Sequence, residues 1–185
     1  MKLGAHVLAE GTRFRVWAPQ SRRVDVIFSS SELKNLPLTR DDNGYFDGYA
    51  PHVRAGARYQ YQLDGRDICA DPYSRYQPDG PRGPSLTVDP LCYHWSDADW
   101  KGPDPARAVV YELHIGTFTA AGTYDSASRE LPTLAKLGIT CVEIMPVAEF
   151  AGRRGWGYDG VNLLHPIITT VTLTRCAVLW MQPTR

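Results

Sequence analysis

Arg58-Tyr59-Gln60-Tyr61-Gln62-Leu63-Asp64-Gly65 alternates without a break, and that alternation decides the first half of the fold. Successive side chains on a strand point to opposite faces. Tyr59, Tyr61 and Leu63 therefore share one side, and Gln60 and Gln62 the other. Asp64-Gly65 suits a two-residue hairpin loop. The same period recurs upstream. Thr12 to Ala18 sets Phe14 and Val16 against Arg13, Arg15 and Trp17, and Arg23 to Phe28 gathers Val24, Val26 and Phe28. Ala18-Pro19-Gln20-Ser21 and Asp41-Asp42-Asn43-Gly44 read as turns. Short strands at this spacing predict an antiparallel β-sandwich over residues 1–90, with Phe14, Val16, Val24, Val26, Tyr59 and Tyr61 buried.

Downstream the pattern changes twice. Asp71 to Pro90 is rich in proline and glycine, which exclude helix and central strand, so it reads as an extended connector partly pinned by its tyrosines. Residues 91–107 read as a linker. Ala108-Val109-Val110-Tyr111-Glu112-Leu113-His114-Ile115 then has the near-continuous apolar start of a buried parallel strand. A helix follows, capped by Ser126 or Ser128 and running to about Leu137. Its apolar stripe is Leu131, Leu134, Ala135 and Leu137, and Gly138 stands at the stop position. Pro132 fits such a helix only in its first turn. Ile139 to Val147 reads as a second buried strand. Strand, helix, strand makes one βαβ unit, over residues 108–166.

The chain has 185 residues, with 20 basic and 20 acidic side chains, 43% hydrophobic and 22% charged. This is the composition of a globular protein, and zero net charge offers no attraction to nucleic acid or to an anionic membrane. No apolar run is long enough for a bilayer. The first residues, Met1-Lys2-Leu3-Gly4-Ala5-His6, lack an apolar leader, so a cytoplasmic location is expected. A complete (β/α)8 barrel takes roughly 250 residues, so the βαβ unit here can only be the start of one. Cys69, Cys92, Cys141 and Cys176 lack paired spacing, which argues against zinc and for reduced cysteines used as small apolar residues.

The most unusual local sequence follows the second strand: Phe150-Ala151-Gly152-Arg153-Arg154-Gly155-Trp156-Gly157-Tyr158-Asp159-Gly160. In parallel barrels the loops after the strands build the active site. Trp156, Tyr158 and Asp159 suit a sugar, since aromatic faces stack on C–H surfaces and a carboxylate accepts hydroxyl hydrogen bonds. The alternative is a glycine-rich loop anchored by core aromatics, which residue types alone favour. The glycines do not form a phosphate cradle. Glu112 and Glu143 could be acids and His114 a base, although structural polar residues at strand ends are the commoner case. Arg153-Arg154 could hold an anion, but such pairs are usually solvated.

As a set, Val110 to Thr119, Leu137-Gly138-Ile139-Thr140, Val142 to Val147 and Gly155 to Val161 resemble the α-amylase superfamily of glycoside hydrolases. Within it, Leu3-Gly4-Ala5, Gly11 to Pro19 and Asp71 to Ser85 resemble the malto-oligosyl trehalose trehalohydrolase family. The resemblance implies an N-terminal β-sandwich of carbohydrate-binding type, the start of a catalytic (β/α)8 barrel, and cleavage of the α-1,4 bond next to the terminal trehalose. The substrate would be a trehalosyl maltooligosaccharide or α-glucan, and no cofactor or metal is implied. The family's catalytic carboxylates lie on later strands, so none is carried onto this chain. Only Tyr158 and Asp159 are carried over, as contacts of the sugar before the scissile bond; Trp156 beside them stays a substrate-binding candidate on residue type. A non-catalytic α-glucan-binding module, or a piece of a glycogen branching or debranching enzyme, remains open.

Residues 167–185 depart from the family. Read one base earlier, the tail's codons permit Tyr-His-His-Tyr-Gly-Asp-Pro-Asp, then a helix ending Val-Asp-Ala-Ala-His. Trp180 before Met181 forces Asp, and Met181 before Gln182 forces Ala, both where the family has them. A frameshift at the Pro166 codon is therefore expected, leaving the truncated chain inactive.

Overall fold

A computed structural model describes residues 2–92, 95, 97–152, 155–158, 160 and 162–166. The chain runs β1 Gly4–Leu8, β2 Gly11–Trp17, β3 Val24–Phe28, β4 Leu36–Pro37, β5 Thr39–Arg40, β6 Tyr45–Pro51, β7 Arg58–Leu63, β8 Asp67–Cys69 and β9 Ser85–Leu86. It continues with β10 Val110–Leu113, α1 Ile115–Phe118, α2 Tyr124–Lys136, β11 Cys141–Ile144, β12 Ala148–Glu149 and β13 Asn162–Pro166.

The first nine strands make two antiparallel sheets, ordered β1-β2-β6-β5 and β4-β3-β7-β8, with β9 also paired to β7. The alternating side chains meet between them. Phe14 and Val16 from one sheet, and Val24, Val26, Tyr59 and Tyr61 from the other, are all 4% exposed or less. The Phe14 ring stands edge-on to Tyr59 at 4.9 Å and to Phe28 at 5.8 Å, which stitches the sheets together. The outward face of β2 carries Arg13 and Arg15, both on Asp47, and Trp17, which is 55% exposed. The sequence prediction of a sandwich with this core is therefore borne out.

Its details need correction. Asp64 and Gly65 take φ of 51° and 71°, the backbone of a type I′ turn, which glycine adopts freely and aspartate tolerates. However, the ladder pairs Leu63 with Asp67, so Arg66 is one residue more than a two-residue loop. The connector is also not merely extended, because Ser85 and Leu86 pair with Tyr59 and Arg58. Of its tyrosines, Tyr73 is 37% exposed and Tyr76 is half-buried. Buried polar side chains also hold it: Asp71, Ser74, Gln77, Ser85 and Thr87. Thr87 Oγ1 donates to the Arg54 carbonyl at 2.7 Å and accepts from Ala57 N–H at 2.9 Å. Arg75 donates to the Ala5 carbonyl at 2.5 Å, so the connector also grips β1.

β10 and β11 pair in parallel, Val110 with Cys141 through Leu113 with Ile144, with α1 and α2 between them in sequence. The predicted strand–helix–strand order therefore holds. Leu113, Ile115, Tyr124 and Ala127 form its small core, with Leu131, Val142 and Ile144 against it. The expectation of fully buried strands fails. Val109, Val110 and Tyr111 are 50%, 53% and 38% exposed. A parallel strand is buried when neighbours and helices cover both sides, and β10 has only β11 beside it among the described residues.

The α2 cap is Thr123 rather than Ser126 or Ser128. Thr123 Oγ1 accepts from Ser126 N–H at 3.3 Å, and Ser126 Oγ accepts from Thr123 N–H at 3.2 Å, a reciprocal capping box. Pro132 lies inside the helix, well past its first turn. Leu137, assigned to the apolar stripe, is 74% exposed as the C-cap residue. Cys69 and Cys92 are exposed free thiols, so the small-apolar reading fails for both. The tail, and with it the frameshift reading, lies outside the described residues. No helix among the described residues is long and apolar enough to cross a membrane.

Candidate sugar-binding loop

Parallel pairing brings the C-terminal ends of β10 and β11 to one side of the small sheet. Met145 N–H donates to the Leu113 carbonyl at 2.9 Å and extends that alignment one residue past β11. The chain leaving β10 becomes His114, the N-cap residue of α1. The chain leaving β11 passes Pro146, forms β12, and enters the glycine-rich loop. β13 pairs antiparallel with β12, so the loop is bracketed by a short hairpin that the sequence reading took as open loop.

Four contacts hold the described residues of the loop. His114 Nε2 donates to the Gly155 carbonyl at 3.1 Å. The His114 ring stands edge-on to the Trp156 ring, 5.4 Å between centroids at 64°. Gly157 is buried with φ of 84°, and a Cβ there would overlap the Pro146 carbonyl, so only glycine fits both the backbone and the space. Gly155 also lies against Phe150, whose ring would be 2.8 Å from an added Cβ.

Of the residues singled out from sequence, Trp156 and Tyr158 lie on this loop, 62% and 69% exposed, on either side of buried Gly157. This is the arrangement of ring faces offered outward from a fixed backbone. Asp159, Arg153 and Arg154 lie outside the described residues. Glu112 and Glu143 are register neighbours on the paired strands, both exposed. His114 takes the commoner of its two sequence readings, a hydrogen-bonded residue and not a base, because its Nε2 is engaged by the loop. No group of three or more His, Cys, Asp or Glu that could hold a metal ion occurs among the described residues.

Residues 2–74 match Carbohydrate-binding module 48 (Isoamylase N-terminal domain). The chain is 44% identical over 167 residues to malto-oligosyltrehalose trehalohydrolase of Deinococcus radiodurans, covering 89% of this chain and 27% of that protein. It is 46% identical over 151 residues to the Arthrobacter ramosus enzyme of the same name, covering 80% and 26%. Over most of its own length the chain is similar to the malto-oligosyltrehalose trehalohydrolases. It spans about a quarter of the length of the curated relatives it matches. A candidate alpha amylase from Salmonella typhimurium, solved by crystallography, superposes with a TM-score of 0.90 at 39% identity, over 96% of this chain and 30% of that one. The trehalohydrolase likeness therefore extends beyond the carbohydrate-binding module into the α/β residues that carry the loop.

Proposed function

We propose that this chain is part of a glycoside hydrolase that cuts the α-1,4 bond next to the trehalose end of malto-oligosyl trehalose and releases trehalose in the cytoplasm. In this reading β10 and β11 are the first two strands of a (β/α)8 barrel, and residues 1–90 are its accompanying sandwich. Trp156, Tyr158 and Asp159 contact the sugar before the scissile bond. The observation that carries the reading is the Trp156-Gly157-Tyr158 loop at the C-terminal end of a parallel strand pair, where barrels of this kind bind substrate.

The chain by itself should release no trehalose. Retaining glycosidases act through two carboxyl groups about 5 Å apart across the scissile bond, and the later strands that bear them have no counterpart here. A single-base deletion at the Pro166 codon accounts for residues 167–185. The test is trehalose release from maltotriosyl trehalose by the 185-residue chain and by a gene with one base restored at that codon. Activity only in the second supports the reading. Release by the first, abolished by Asp159→Ala, overturns the truncation.

The carbohydrate-binding-module match favours a second reading, a non-catalytic α-glucan-binding module. Retardation in an amylose gel that survives both Trp156→Ala and Tyr158→Ala would place binding on the sandwich instead.

A further inference from the structure

Gly155 and Gly157 have more backbone freedom to lose than other residues, so the conformation of residues 155–158 needs a cause. Phe150 and Pro146 restrict it sterically. Among the described residues His114 reaches it with a directed bond, and His114 is itself set on a fixed element: its carbonyl accepts from Thr117 N–H at 3.0 Å and Phe118 N–H at 2.9 Å as α1 begins.

We propose that His114 is the positioning residue of the sugar-binding loop, holding the Gly155 carbonyl and the Trp156 ring so that Trp156 and Tyr158 meet a glucosyl ring already arranged. This rests on the sugar-binding reading of the loop. A carbonyl can only accept, so the imidazole proton sits on Nε2. Nδ1 lies 3.4 Å from Thr117 Oγ1. Donation to the loop spends Nε2 on orientation and removes it as a general base. The gain is preorganisation: a loop already ordered loses less freedom when ligand arrives.

The test uses the full 185-residue chain labelled with 15N, following the Trp156 indole resonance, assigned by Trp156→Phe, and binding of maltotetraose. His114→Phe keeps a ring against Trp156 and removes the donor, while His114→Gln keeps a donor. His114→Phe should move the indole resonance toward that of a free side chain and weaken maltotetraose binding by about tenfold, and His114→Gln should recover binding to within about threefold. An unmoved resonance in His114→Phe, or equal damage by both variants, overturns the proposal. The 15N shifts of the wild-type imidazole give an answer without mutation, because protonation at Nδ1 instead of Nε2 also overturns it. If the wild-type chain binds no maltotetraose while His114→Phe still moves the indole, the positioning role stands and the sugar reading of the loop falls.

Discussion

The Tyr59 hydroxyl donates to Asp71 at 2.6 Å, and the tyrosine is 1% exposed and the aspartate 0%. The carboxylate also accepts from Tyr73 N–H at 2.8 Å. Burial pushes the Asp71 pKa up from 3.8 to about 6, and these hydrogen bonds only partly oppose it. A residue in the core of β7 is thereby tied to the first residue of the connector.

That link gives a pH dependence of known sign. The folded chain holds the Asp71 proton more tightly than the unfolded chain does. Its contribution to stability is therefore complete below the unfolded value of 3.8 and is lost as pH rises through about 6. Relative to Asp71→Asn, wild type should lose about 1 kcal/mol between roughly pH 5 and pH 7.5. Urea midpoints of both proteins at the two pH values measure it, and a constant difference would rule out the buried acid as the cause.

The two faces of β2 should respond unequally. Phe14 is fully buried against Tyr59 and Phe28, so Phe14→Ala should cost about 3–5 kcal/mol. Trp17→Ala, on the outward face, should cost less than about 1 kcal/mol. Denaturant titrations of the two variants compare them directly.

Loss of the α2 cap is separable from loss of a nearby serine. Thr123→Ala removes the acceptor for Ser126 N–H and should destabilise the helix by about 1 kcal/mol. Ser128→Ala, which removes only a bond to the Asp125 carbonyl, should do less. Hydrogen exchange across α2 reads both, and an equal effect would refute the assignment of Thr123 as the cap.

The free edge of β10 predicts self-association. Val109, Val110 and Tyr111 are exposed on a strand with one partner among the described residues. Val110→Lys should reduce light scattering at high concentration without lowering the unfolding midpoint, since a charge on an edge strand discourages further pairing.

The sandwich was legible because its information is local. Alternation along six residues names the buried face of β7 before any partner is known. The connector was not legible, because Asp71 looks like a loop acid until Tyr59 and Ser85 are placed beside it. The apolar start of β10 spoke for burial, but burial also needs neighbours, which composition cannot supply. Thr123 was passed over because its capping partner is Ser126, where the familiar box has Glu or Gln. The loop's residue types were visible, yet its anchor stands 41 residues away at His114, and no periodicity links the two.

The connector's hold on the sandwich also sets the order in which the molecule comes apart. Ser85 Oγ accepts from Asp71 N–H at 3.0 Å, Leu86 N–H donates to the Tyr76 carbonyl at 2.7 Å, and Thr87 closes on Arg54 and Ala57. The Ser85 and Thr87 side chains are buried, but residues 71–87 carry only the two-residue strand β9, so the segment has little sheet ladder and opens at lower free energy than the Phe14–Tyr59 centre. The span 71–87 is thus a seam. A protease should find it before any strand of the two main sheets, and a refolding chain should fasten it last, after β7 exists to receive it.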